Sequence, residues 1–297
     1  MTDRAGAVYD LGYEPFEGER TGRSGARKTV FFDGVRRVLG LRRKARRKIM
    51  PWALLLIATL PVVAVVGVAF LVPVAVEEGL NLGEQNSDFF VLAGTITMLF
   101  TALAAPELLI PDRKDGVLSM LSSRPLTAID YLGTRFASLA AVVGGFMIIP
   151  QLLLFLGEAG TGPDGLFRGI VDSADKLPKI LAVAGVYVIA LVPLGFVIAS
   201  LSNRKSIATA SYLAVTLALS AVSNAMVFGS TITGGRWAAL FAPIDTAHAV
   251  NAWIFGASGE PSLLDAADIH PVVGLGALAV FGLALSAFAV HRYRKLL

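Results

Sequence analysis

The chain contains no cysteine, which excludes disulfides, thiolate nucleophiles and cysteine-ligated zinc together. Its three histidines, His248, His270 and His291, are too scattered to suggest a metal site. No Gly-x-x-x-x-Gly-Lys-Ser/Thr phosphate loop is present, so the chain cannot be its own ATPase. The most informative absence is charge: residues 49–76, 89–106, 136–157, 180–203, 206–235 and 271–290 contain no Asp, Glu, Lys or Arg. An ion-coupled transporter needs ionisable groups inside its spans, and Glu107, Asp130 and Arg135 lie only at span ends.

Each uncharged stretch is close to the roughly 17–25 residues that an α-helix needs to cross a bilayer. None alternates as a barrel strand would, and lipid leaves an open backbone unsatisfied, so the fold expected is an all-α integral membrane bundle of six transmembrane helices. The spans fall at about 51–76, 89–110, 131–157, 178–202, 206–228 and 269–290. Mean hydropathy of +0.68 and 55% hydrophobic residues exclude an ordinary soluble domain. Gly94, Gly144, Gly145, Gly185, Gly274 and Gly276 are candidates for close helix approach.

The gaps orient the bundle. Residues 1–50 carry thirteen Lys or Arg, 111–135 carry four, Arg204 and Lys205 add two, and Arg292, Arg294 and Lys295 follow the last span. The opposite ends hold only Arg168, Lys176, Lys179 and Arg236 of the twenty-six basic residues. By the positive-inside rule both termini are cytoplasmic, in a multi-pass protein of the plasma or inner membrane. The pI near 9.4 therefore reflects topology, with no nucleic-acid partner implied. Nearly fifty mostly polar residues precede the first apolar run, so that run reads as an uncleaved signal anchor.

Residues 1–28 are rich in Gly, Glu and Arg without apolar periodicity and read as a disordered cytoplasmic tail. Over 29–50, Phe31, Phe32, Val35, Val38 and Leu39 recur at helical spacing among Arg36, Arg37, Arg42 and Arg43. That pattern predicts a helix in the inner interface, its apolar face in the acyl boundary and its cations among head groups, bending at Pro51 into the first span. The alternative is a charge cluster that only sets topology. Between spans two and three, Asp112 is a fair N-cap, and Val117, Leu118, Met120 and Leu121 cluster at helical spacing before Arg124 and Pro125. A short amphipathic helix over about 112–124 is expected. It suits docking into the groove of a soluble partner, with Arg113 as a rim charge of small effect, and a helix that merely dips into lipid would show the same periodicity. In the outer segment, 229–268, Trp237, Leu240, Phe241 and Ile244 share a helical face, and Trp253, Ile254 and Phe255 follow a polar stretch with Asp245. This predicts two short interfacial or re-entrant helices broken at Pro243 and around Gly256, or else an inert loop anchored by tryptophans.

The stretch from Glu107 to Phe136 resembles the signature of ABC-2 type exporter permeases. It has the Asp112-Arg113-Lys114-Asp115-Gly116 run, the apolar turn at Val117 to Leu121, and Arg124-Pro125-Leu126 before Tyr131. Tyr9 to Gly18 is similar to the start of one subset of that family, whose pattern has Thr more often than Val117 and Glu where Asp112 stands. The resemblance implies that 112–125 is a coupling helix contacting separate ATPase subunits, which would bind ATP and Mg, while this chain holds no cofactor and is not itself an enzyme. It also implies a second permease protomer, identical or paralogous, an N-terminal elbow helix, and outer helices that cap the translocation path. The apolar spans suggest a lipophilic or amphipathic cargo. A scaffold recruiting a cytoplasmic protein through 112–125 shares every one of these features, and nucleotide turnover by a co-purified partner separates the two. An intramembrane enzyme is the third reading; Glu77 and Glu78 have no histidine in a span to work with.

The charge alternation yields a direct test of topology. Single cysteines at Gln85, Ser173 and Ser258 are expected to react with an impermeant thiol reagent on intact cells, and those at Ser122 and Ser202 to stay unlabelled. Labelling of Ser122 from outside would reverse the orientation.

Overall fold

The computed structural model describes residues 22–41, 46–72, 82, 85–116, 126–161, 165–229, 234–257 and 261–294. They form helices α1 (Gly22–Val38), α2 (Arg46–Leu71), α3 (Asn86–Lys114), α4 (Ala128–Thr161), α5 (Leu166–Asp172), α6 (Lys176–Leu201), α7 (Lys205–Gly229), a 3₁₀ helix (Gly235–Phe241), α8 (Pro243–Phe255), α9 (Leu263–Ala266) and α10 (Pro271–Arg294). Six of them, α2, α3, α4, α6, α7 and α10, are long and apolar enough to cross a membrane. At about 1.5 Å per residue, the 34 residues of α4 and the 29 of α3 outreach a hydrocarbon core of about 30 Å. Their ends accordingly carry charge: Glu107, Asp112 and Arg113 on α3, Asp130 and Arg135 on α4.

The organising element is α6. It is apolar around its whole circumference, and every residue from Ala190 to Ser200 is buried, as expected of a helix enclosed on all sides. Helices α3, α4, α8 and α10 pack around it, and one core runs through Phe90, Met147, Tyr187, Leu191, Val250 and Leu278. By contrast α2 and α7 face outward, with Leu56, Ile57, Leu60, Leu217 and Val222 exposed. Close approach between α3 and α6 is set at Gly94, where an added Cβ would lie 2.4 Å from the Tyr187 ring. Gly144, Gly145, Gly185 and Gly276, which the sequence offers equally as sites of close packing, face open space or ordinary contact distance, so only Gly94 and Gly274 of that set bring helices together. The α3–α6 seam is extended by Phe90, which stacks on Tyr187 at 6.2 Å.

Hydrogen bonds fix the neighbours of α3. Gln151 Nε2 of α4 donates to Asn86 O (3.1 Å), Thr209 Oγ1 of α7 donates to Ala102 O (2.9 Å), and Asn251 Nδ2 of α8 donates to Ser87 O and Oγ (3.0 Å each). Because only the amide nitrogens can donate to these carbonyls, both amide orientations are determined by the backbone they meet.

Three boundaries differ from the sequence reading. Helix α1 begins at Gly22, inside the expected disordered tail. Helix α1 stops before Gly40 (φ +65°), a left-handed residue, while Pro51, the expected bend, sits inside α2. As the sixth residue of α2, Pro51 forgoes one backbone bond near the helix start and the helix survives it. Helix α3 also runs through Pro111 to Lys114, so Asp112 is a buried residue of the span and does not cap a new helix. The stop comes at Gly116 (φ +67°). The N-terminal helix, the C-terminal ends of α3 and α6, the start of α4 and the last turn of α10 meet at one end of the bundle.

The Gly94 contact is testable with a paired substitution. Gly94→Ala is expected to lower stability by about 1–3 kcal/mol through overpacking against Tyr187. Gly145→Ala, placed where nothing lies within 4 Å, is expected to leave the melting temperature unchanged or raise it slightly. Thermal melts of the two variants in detergent decide the matter.

Candidate functional site

At the basic end of the bundle, charges that look isolated in the sequence close into a network. Asp112 is 1% exposed. Its Oδ1 accepts from Arg37 Nη1 of α1 (2.6 Å), and its Oδ2 accepts from the Tyr131 hydroxyl (2.7 Å) and from Arg135 Nη2 (2.8 Å), both on α4. The two arginines are joined a second time through Asp33 Oδ2, 2.9 Å from Arg135 Nη1 and 3.0 Å from Arg37 Nη2. Two carboxylates and two guanidiniums thus neutralise one another across three helices. A buried carboxylate is tolerable only with this degree of pairing and hydrogen bonding.

A second junction lies at the start of α4. Thr127 and Asp130 cap it reciprocally: Asp130 Oδ2 accepts from Thr127 N (3.0 Å), and Thr127 Oγ1 accepts from Asp130 N (3.2 Å). The same carboxylate accepts from Arg23 Nε (2.7 Å) and is paired with Arg27, both on α1. A third junction closes the end of α6, whose last carbonyls have no partners within the helix. Arg113 donates to Ala199 O (2.8 Å), Ser200 O and Ser202 O, and Arg292 Nε of α10 donates to Ser200 O (3.0 Å). Cations at a helix C-terminus also suit its dipole. Beside these, Lys205 at the start of α7 pairs with Glu107 of α3.

In sequence, residues 117–125 join the end of α3 to the approach to α4, so these junctions hold both feet of that segment. Asp112 ties the first foot to α1, Asp130 ties the second foot to α1 again, and Arg113 ties the first foot to α6. Of the expected coupling residues, Asp112 and Arg113 belong to the network, Lys114 and Asp115 are exposed, and Gly116 ends α3. Val117, Leu118, Leu121, Arg124 and Pro125 lie outside the described residues. The sequence reading of Arg113 as a rim charge of small effect is corrected by its three carbonyl contacts.

Helix α1 is also placed differently from expectation. Its Val30, Val35, Val38 and Leu39 pack on protein, against a core that includes Ala104, Leu108, Leu132 and Leu139. Gly34 lies so close to α4 that a Cβ would meet Ser138 Oγ at 2.2 Å. Phe31 is half-buried, Phe32 and Arg36 are exposed, and Arg37 turns inward. The helix face expected in lipid is therefore largely spent on α3 and α4. Arg42 and Arg43 lie outside the described residues.

At the opposite end, α8 is packed among α3, α6 and α10. Pro243 starts it and Gly256, at φ +66°, ends it. The aromatic residues divide: Trp237, Phe241 and Trp253 are exposed, whereas Ile244 is buried and Phe255 packs on Phe90 at 5.7 Å. His248 lies 5.7 Å from the Tyr187 ring, and burial pushes its imidazole down to about 4 against the upward pull of Asp245. The periodic face read from the sequence missed this split because Pro243 resets the helical phase between Phe241 and Ile244.

Network residues missed by sequence reasoning include Asp33 and the pairings of Asp130 and Arg135. The four-residue spacing of Asp33 and Arg37, and Thr127-x-x-Asp130 before an apolar run, were the available signals. Removing the central carboxylate tests the network. Asp112→Ala leaves the guanidiniums of Arg37 and Arg135 to share the single carboxylate of Asp33 and is expected to cost about 3–5 kcal/mol, with part recovered when Arg135→Leu removes the surplus cation. Thermal midpoints of the single and double variants give the coupling, and additive losses would show that the pair contributes nothing.

No protein-family model matches the sequence, and no curated protein matches it.

Proposed function

We propose that the chain is the membrane permease subunit of an ABC-2 type exporter, moving a lipophilic or amphipathic cargo with energy from a separate ATPase. The observation that carries this reading is the double attachment of the 117–125 feet to α1, through Asp112 to Arg37 and through Asp130 to Arg23 and Arg27. A force on that segment meets a frame in which bending the first foot alone breaks the buried Arg37–Asp112 pair, at a cost of several kcal/mol. The second foot is held by the half-exposed Arg23 and Arg27, whose pairs weigh less. The easier response is displacement of α1, α3 and α4 together, with α6 following through Arg113. In this reading the ATPase subunits bind ATP and Mg, close, and pull on the cytoplasmic segment. Their open and closed forms interact differently with it, which is the thermodynamic requirement for coupling. A second permease protomer completes the path, and the exposed apolar faces of α2 and α7 leave surface for it and for lipid. Arg23, Arg27 and Arg294 around Asp130 add a basic concavity beside the second foot, complementary to an acidic partner surface.

Replacing Leu118 and Leu121 together with Asp tests the docking role. Neither lies in a span, so insertion and abundance are expected to stay normal. The charged pair costs roughly a few kcal/mol in a partner's apolar groove, and the expected result is loss of the co-purifying ATPase or of its cargo-stimulated turnover. Unchanged co-purification and export would reject docking through this segment, and co-purification without any nucleotide turnover in the unmodified protein would favour a scaffold.

A further inference from the structure

Helices α4 and α10 pack against each other, and two concavities follow one another along their seam. The first, of about 480 Å³, opens at the start of α4 and is lined by Ile129 and Asp130, by Arg294 of α10 and by Arg23 and Arg27 of α1. The second, of about 240 Å³, is lined by Leu132, Gly133 and Phe136 of α4, Phe196 of α6, and Ala289 and Val290 of α10, with Ser286 its one polar side chain. Phe136 lies about 10 Å along α4 from Ile129, and Val290 about 6 Å along α10 from Arg294, at 1.5 Å per residue. An apolar groove thus continues from a charged mouth along the same two helices, away from the basic end of the bundle.

Charge selects what enters the mouth. Its lining holds three guanidiniums, those of Arg23, Arg27 and Arg294, and one carboxylate. That carboxylate, Asp130, has a side chain only 4% exposed and is already matched by Arg23, Arg27 and Thr127. Arg23 and Arg27 remain about half exposed, with N–H donors to spare, and Arg294 is exposed and pairs with no carboxylate among the described residues. By charge alone the mouth would suit an acidic protein surface, but such a surface makes no use of the groove that continues from it. A molecule with an anionic head and a hydrocarbon chain fits both. Gly133 keeps the groove open on the helix face that also exposes Ile129: an added Cβ there would meet nothing within 4 Å.

We infer that the α4–α10 seam is a binding site for one anionic phospholipid of the surrounding membrane, its phosphate held by Arg294, Arg27 and Arg23 and an acyl segment lying along Gly133, Phe136 and Val290. Guanidinium groups suit a phosphate because their paired N–H donors match its oxygens. The site does not rest on the transport reading. It holds equally for a scaffold. Bound there, the head group bridges α1, α4 and α10 beside Asp130.

The test uses the full chain in nanodiscs of phosphatidylcholine alone or with phosphatidylglycerol, reading retained lipid by native mass spectrometry and stability by thermal midpoint. Three variants accompany it: Gly133→Leu fills the groove from a position with open space around it, Arg294→Gln removes a mouth cation, and Arg204→Gln removes an exposed cation of the same end between α6 and α7. The unmodified protein and Arg204→Gln are expected to retain one phosphatidylglycerol and to melt higher in its presence. Arg294→Gln is expected to weaken retention roughly fivefold, the worth of one cation near a charged head group. Gly133→Leu is expected to abolish retention while melting no lower than the unmodified protein in phosphatidylcholine. If Gly133→Leu fails to fold, the contrast between the two arginine variants carries the test. Equal weakening by those two, or equal retention in all four proteins, would assign the effect to general attraction by the basic end and overturn the site. Retention lost in Arg294→Gln but kept in Gly133→Leu would leave the mouth to an acidic protein surface and overturn the acyl groove. Equal retention of phosphatidylcholine by the unmodified protein would overturn the head-group selectivity.

Discussion

A single buried carboxylate sets the terms for one end of this protein. Asp112 sits at the end of a membrane-length helix with 1% exposure, where an unmatched charge would be untenable. It persists because Arg37, Arg135 and Tyr131 reach it from two other helices. Each partner is thereby committed: α1 must lie across α3 and α4, and α4 must present Tyr131 and Arg135 on one face. The close seating of Gly34 on Ser138 is the steric counterpart of that electrostatic requirement.

The other end is held by different means. Amide side chains reach backbone carbonyls at the first turn of α3, and aromatic rings pack around Tyr187. Between the two ends runs α6, buried from Ala190 to Ser200, and its last carbonyls are closed by Arg113 and Arg292. The bundle therefore has a rigid axis tied to an ionic frame at one end, with α2 and α7 on its flanks.

The six spans were legible because lipid forbids charge in a helix interior, a constraint that shows directly in residues 49–76 or 271–290. The short outer helices left marks in Pro243 and Gly256, which act through local backbone geometry. Partnerships at long range could not be read. Arg37 and Asp112 are 75 residues apart, Arg23 and Asp130 are 107 apart, and periodicity carries no information about such pairs. The same limit explains the misplacement of α1: an apolar stripe beside arginines fits lipid and protein equally, and only the position of Ser138 and Leu139 on α4 decides for protein. In sequence Pro51 outweighs Gly40 as a helix stop, because proline restricts the chain in any context, while a glycine turns left-handed only where the neighbouring packing demands it.

The order in which the network's members leave the ribosome has a consequence for assembly. Helix α1 is made first, yet the groups it binds arrive later, Asp112 with the second span and Asp130 and Arg135 with the third. Until α4 is in place, Asp112 lacks both Tyr131 and Arg135, and α1 lacks its principal packing surface. Insertion of the third span is therefore the step that converts separately inserted helices into a locked unit. A chain interrupted before it would leave an acid and several arginines at the membrane edge, a distinct feature for quality control to recognise.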